Sequence, residues 1–195
     1  MTGQEMDSPT EIKLGDEKGE LRLMKAGDGA AILAFAESLP PHDLLFLRRD
    51  ITKPKVVEAW IEASKAGSIY SVVVTKGDQI VGCGTLVEDP LSWSPHVREV
   101  RVLVSPRVRE HGLGRKILQQ CFRRALEENV KKLTAQMTVD QKGAIAIFEE
   151  LGFRGEALLK DQVMDREGQT HDIVTLSCDV DRASDQLSAY GIGGA

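Results

Sequence analysis

Residues 96–104, HVREVRVLV, run without a break into the turn SPRVREHGLG. Beyond it Leu113, Ile117, Leu118, Cys121, Ala125 and Leu126 recur at helical spacing. A strand, a glycine turn and an amphipathic helix in immediate succession constrain the fold strongly, because such a helix must pack back onto the sheet its own strand enters. The rest of the chain supplies that sheet. Residues 20–26 read as a strand, followed by a helix with Asp28 at its N-cap position and Pro40-Pro41 as its stop. A second helix begins after Thr52, with Pro54 in its first turn, and ends at Gly67. Two β-branched runs flank Lys76-Gly77-Asp78 as a hairpin. After the central unit come the strand KLTAQMTV, the helix KGAIAIFEEL closed by Gly152, and two strands joined at Arg166-Glu167-Gly168. The order β-α-α-β-β-β-α-β-α-β-β predicts an α/β fold with a mixed sheet flanked by helices. Residues 1–18 and 181–195 read as flexible flanks of one domain spanning 19–180.

The chain has 195 residues, enough for one well-buried domain, and a formal charge of −5. That charge argues against general attraction to nucleic acid or to an anionic membrane surface. No apolar stretch is long enough to span a bilayer, and the N-terminal residues lack the apolar core of a signal peptide. Cys83, Cys121 and Cys178 are odd in number, form no CxxC pair and sit in apolar segments, so they read as buried thiols of a cytoplasmic protein. No cluster of residues has metal-ligand spacing.

The helix entrance carries charge of the wrong sign. Arg115 and Lys116 occupy the first turn, where cations oppose the helix dipole at a few tenths to about 1 kcal/mol each. Arg98, Arg101, Arg107, Arg109, Arg115 and Lys116 face only Glu99 and Glu110 in this stretch, a local charge of +4. An anion bound at the free N–H groups of the helix entrance explains this arrangement; a solvated basic surface is the alternative. No GxxxxGK[ST] loop is present, and Ile117 stands where a dinucleotide fingerprint needs its third glycine.

The stretch RVLVSPRVREHGLG resembles the signature of the GNAT superfamily of acetyl-CoA-dependent N-acetyltransferases, [QR]xxGx[GA] after a strand, with Arg109, Gly112 and Gly114 in the signature places. AIAIFEELGF resembles the second helical element of the same family. The resemblance implies a mixed, centrally splayed β-sheet flanked by α-helices, with acetyl-CoA as co-substrate. It places the pyrophosphate on the turn of Arg109, Glu110, His111, Gly112, Leu113, Gly114 and Arg115. It places the thioester and pantetheine against main-chain groups of Val102, Leu103 and Val104.

The implied reaction is acetyl transfer to a primary amine by direct nucleophilic attack. The family's acid is a tyrosine at the position held here by Phe148, and Gln141 replaces the usual asparagine. Phenylalanine donates no proton, but a CoA thiol with a pKa near that of cysteine, roughly 8.5, can leave and collect a proton from water. Phe148 then reads as a core or pantetheine-packing aromatic. Glu99 is the candidate base, although its register relative to Val104 would need a bulge, and an ion pair with a neighbouring arginine is the competing role. His96 and His111 are further candidates, each with plain solvation as the alternative. Tyr70 and Tyr190 lie in an early strand and the tail, and His171 and Asp172 are adjacent strand residues that point to opposite faces. The acceptor, a small-molecule amine or a peptide or protein amine, is expected near residues 42–60, Trp93 and residues 165–171. There Arg48 and Arg49 could meet a carboxylate, and Asp43 or Asp50 an ammonium group. A catalytically degenerate acetyl-CoA-binding sensor or interaction domain is the rival reading, and pairing of the final strands across subunits would give a homodimer.

Overall fold

The computed structural model describes residues 8–89, 91–109 and 111–189. Eight strands form one sheet: β1 (Thr10–Leu14), β2 (Glu17–Leu23), β3 (Ile69–Lys76), β4 (Gln79–Val87), β5 (Val97–Val104), β6 (Lys132–Thr138), β7 (Arg154–Met164) and β8 (Thr170–Asp179). Their spatial order is β1-β2-β3-β4-β5-β6-β8-β7. All neighbours are antiparallel except β5 and β6.

Helices cover both faces. On one face α3 (Leu113–Glu127), α4 (Lys142–Glu150) and α5 (Val180–Ala189) bury Leu113, Ile117, Leu118, Cys121, Phe148 and Val180. On the other, α1 (Gly29–Ser38) and α2 (Pro54–Lys65) bury Ile32, Phe35, Val57 and Ile61. The run Val72-Val73-Val74 is fully buried because alternate residues enter opposite layers. Each such side chain contributes about 1.5–3 kcal/mol of burial free energy. Helix α3 lies so close to β4 that a Cβ at Gly84 would collide with Ile117 and Cys121. Glycine there lets the helix seat its apolar stripe directly on the strand.

The sheet opens at its centre. β5 and β6 pair only through Val97↔Lys132, Arg98↔Leu133 and Glu99↔Thr134. Beyond Glu99, β5 keeps its ladder with β4 while β6 keeps its ladder with β8. The two strands therefore diverge as they run forward, which is the splay the resemblance implied.

Two flanks differ from the sequence reading. Within residues 1–18, β1 and the start of β2 form an antiparallel hairpin in which Ile12 and Leu14 are buried. Within residues 181–195, α5 continues to Ala189 and packs Val180 and Ala183 into the core. Residues 1–7 and 190–195, Tyr190 among them, lie outside the described residues. Asp28 does stand at the N-cap position of α1, but its carboxylate does not cap that helix. It accepts the Lys25 N–H at 2.7 Å and two N–H groups of Arg22 at 2.7 and 2.8 Å. Burial alone would raise the Asp28 carboxyl, but Arg22 and the Lys25 N–H outweigh it and hold the pKa below the usual carboxylate range.

Candidate functional site

The splay becomes a cleft of about 570 Å³. One wall is residues 100–104 of β5; the other is Gln136 and Met137 of β6 with the start of α4. Its end is the entrance of α3, where Gly112 and Gly114 line it. Of the expected cofactor residues, Val102, Leu103, Val104, Arg109, Gly112, Leu113 and Gly114 line this cleft, and Arg115 does not. His111 sits at the neighbouring β1–β2 turn, its ring facing Gly15, and Glu110 lies outside the described residues.

Two backbone features make this cleft suited to an extended anionic ligand. Past Glu99, the edge of β5 that faces β6 has no strand partner among the described residues, and buried main-chain groups require one. An amide-containing chain lying in the splay could act as that partner. Gly112 has φ +71°, a conformation that favours glycine, and a Cβ there would meet nothing within 4 Å among the described residues. The first N–H groups of α3 are thus presented to open space at the positive end of a fifteen-residue helix. Phe148 is 6% exposed, lines the cleft and packs edge-on against Phe153 with ring centroids 5.0 Å apart. This agrees with a packing aromatic.

The basic side chains behave differently from the sequence expectation. Arg98 pairs with Glu88 at 3.2 Å, Arg101 with Glu99 at 2.7 Å, Arg109 with Asp43 at 2.5 Å and Arg115 with Glu150 at 2.7 Å. Four of the six local cations are therefore neutralised by acids, three of them remote in sequence, and they form no clamp around the helix entrance. Arg109 also donates to the Val104 carbonyl from Nε at 3.2 Å and Nη2 at 3.0 Å. Its side chain thereby ties the signature turn to β5 and, through Asp43, to the segment between α1 and α2.

Glu99 lies on the opposite face of β5 from Val100 and shares that face with Arg101 and Leu103. All three line a second cavity, also about 570 Å³, roofed by α2 and the β4–β5 loop. Arg101 and Leu103 line both cavities, so the two meet along β5. Arg101 donates to Glu99 from Nε at 2.7 Å and from Nη2 at 3.0 Å. A carboxylate offers about four acceptor positions, so room for a water or an ammonium N–H remains. Arg48, Arg49 and Trp60 of the expected acceptor region also line this cavity. Trp93 is fully exposed on the loop beside it. Asp50 is already engaged by Thr52 and lies 3.6 Å from Arg166.

One cluster escaped the sequence reading. His42 Nε2 is 2.8 Å from Asp140 and 3.2 Å from the Thr138 hydroxyl. Its ring meets His171 edge-on at 5.0 Å, and His171 in turn pairs with Asp165 at 2.8 Å. Burial would raise the Asp140 carboxyl, but hydrogen bonds from Thr138, its own backbone and His42 bring it below the usual range. The cluster joins the α1–α2 segment, the end of β6 and the last hairpin beside the cleft. Only the placement of His42 and His171 in the acceptor region signalled it. His96 is exposed, and Tyr70 of β3 is half-buried against α3, where Gln120 donates to its hydroxyl at 3.1 Å. Asp172 accepts the Asp161 N–H at 2.9 Å and acts apart from His171. Among the described residues no group of three or more His, Cys, Asp or Glu could hold a metal, and no helix is long and apolar enough to cross a membrane.

Solved structures of other proteins share this architecture. An N-acetyltransferase from Staphylococcus aureus Mu50 superposes with a TM-score of 0.73 at 16% identity, covering 83% of this chain and 98% of its own. The ribosomal-protein-S5-alanine acetyltransferase of Vibrio fischeri gives 0.73 at 17% identity, with 90% and 98% covered. The yncA protein of Salmonella typhimurium, solved with its cofactor acetyl-CoA, gives 0.71 at 20% identity, with 82% and 92% covered. No curated protein sequence matches the chain. The profile described as the acetyltransferase (GNAT) family matches residues 34–153, which include both walls of the cleft and the signature turn. On that match the chain belongs to the GNAT family of acetyltransferases.

Proposed function

We propose that this chain transfers the acetyl group of acetyl-CoA to a primary amine that enters from the second cavity. The observation that carries the reading is the unpaired β6-facing edge of β5 ending at the open entrance of α3. Amides of Val102, Leu103 and Val104 would hold the pantetheine and acetyl carbonyl, and those of residues 109–115 the pyrophosphate. Acetyl-CoA supplies the activated acetyl group and the CoA leaving group. Main-chain N–H donors aimed at the acetyl oxygen stabilise the charge that develops there, an effect of about 3 kcal/mol per donor. Glu99, oriented by Arg101, takes the proton of the incoming ammonium through water. Phe148 packs the cleft and moves no proton. The buried, unpaired thiols fit a cytoplasmic location; burial pushes Cys83 up to about 12 and Cys178 up to about 11, so neither is a nucleophile.

The test is release of CoA thiol from acetyl-CoA by the full chain over a panel of amines. Amine-dependent release is expected. Tight acetyl-CoA binding with no release for any amine would instead favour a binding-only domain.

A further inference from the structure

The charges of the second cavity carry more than a proton-transfer role. Arg48 Nη2 lies 3.6 Å from Glu99, so Arg48 and Arg101 share one carboxylate. Glu88, also in the lining, is neutralised by Arg98, and Asp89 accepts the Leu91 N–H. The cavity therefore presents a part-buried carboxylate, Glu99, with the exposed guanidinium of Arg48 beside it at the mouth, against an apolar wall that includes Val56 and Trp60. A second observation is independent of these charges. Thr85, register partner of Arg101 on β4, lines the same cavity and is 6% exposed, and its hydroxyl has no hydrogen-bond partner among the described residues. An unpaired buried hydroxyl is unfavourable, and a hydrogen bond from a ligand atom would relieve that cost.

We propose that the acceptor is a free α-amino acid. Its ammonium group meets Glu99, its carboxylate meets Arg48 and Arg101, a polar atom reaches Thr85, and its side chain lies on the apolar wall. Ammonium and carboxylate on neighbouring atoms match the adjacent opposite charges of Glu99 and Arg48. A polyamine would set further cations against Arg48, Arg49 and Arg101. In the transfer, the ammonium gives one proton to Glu99 through water. The freed nitrogen then forms its bond to the acetyl carbon as the carbon–sulfur bond of acetyl-CoA breaks. The second nitrogen proton passes through solvent to the CoA sulfur, leaving an N-acetylamino acid and CoA. This assignment rests on the acetyltransferase reading above.

The experiment titrates each proteinogenic amino acid, its carboxamide and spermidine into the full chain with free CoA present, by calorimetry. At least one amino acid is expected to bind about tenfold more tightly than its own carboxamide. Arg48→Ala should remove most of that preference. Thr85→Val should weaken the same amino acid several-fold while the melting temperature holds or rises, which a purely structural threonine would not do. Equal affinity for acid and carboxamide, tighter binding of spermidine, or an amino-acid affinity untouched by both variants overturns the proposal. Acetyl-CoA is titrated into the same samples. Failure of that binding would sink the acetyltransferase reading, whereas loss of amino-acid selectivity alone sinks only the acceptor assignment.

Discussion

The two cavities that meet along β5 have the same volume, about 570 Å³, but are built from different material. The cleft in the splay is built from backbone: an unpaired strand edge, a glycine with positive φ and the first amides of a helix. Its arginines are turned to other work, Arg101 to Glu99 and Arg109 to Asp43. The second cavity is built from side chains, with Glu99, Arg101 and Arg48 in one charged group beside a buried threonine hydroxyl. A backbone site suits a ligand shared by a whole family, because side chains can change around it. A side-chain site suits a ligand peculiar to one chain. Substitutions should therefore act differently in the two places.

The largest effect is expected at Glu99. Glu99→Gln should lower kcat/KM for the acceptor about a hundredfold while leaving the acetyl-CoA Kd unchanged, as separate steady-state and calorimetric measurements would show. A parallel loss of acetyl-CoA affinity would break the division between the cavities. Asp28→Asn, in the layer of α1 and remote from β5, should cost about 2 kcal/mol in denaturant unfolding without changing acetyl-CoA affinity. The folded-state pKa of Asp28 is depressed. The stability it contributes is thus fully present above the unfolded value, about 3.9, and is lost as pH falls through the folded value. The variant should accordingly lose part of the acid limb of the stability profile.

Phe148→Tyr should change turnover by less than about threefold, because a thiol of this acidity leaves without a dedicated donor. A large gain would show that the missing hydroxyl limits the rate. On ligand binding the smallest effect belongs to Gly114→Ala. The added methyl would find ordinary contact, 3.7 Å from Ile147 and from Val104. Helix α3 should gain up to about 1 kcal/mol, seen as a raised melting temperature, with acetyl-CoA affinity nearly unchanged.

The same distinction governs what could be read from the sequence. The glycine turn was legible because a backbone demand appears as a residue type at one position, Gly112, between a strand and a helical stripe. The hairpins at Gly77 and Gly168 were legible for the same reason, both glycines having positive φ. Strand β1 was not, because only Ile12 and Leu14 of its five residues are buried and the rest are polar. Helix α5 was obscured similarly, its described buried contacts being Val180 and Ala183 in a polar segment. The charge pairings were the least legible. Arg109 and Asp43 are 66 residues apart, and His42 and Thr138 are 96 apart. No local pattern links them; only the fold brings them together. Counting local charge overstated the basic character of the helix entrance because it could not include Asp43 and Glu150.

The central claim is that backbone geometry at the entrance of α3 holds acetyl-CoA. Calorimetric titration of acetyl-CoA into the wild-type chain and into Gly112→Val tests it most directly, with NAD and ATP as comparison ligands. A branched residue at φ +71° is strained by at least about 1–2 kcal/mol, although no described neighbour obstructs its Cβ. The account predicts micromolar acetyl-CoA binding to the wild type, weak binding of NAD and ATP, and affinity lowered on the order of a hundredfold in a folded Gly112→Val. No acetyl-CoA binding by the folded wild type, or equal affinity in the variant, would contradict it.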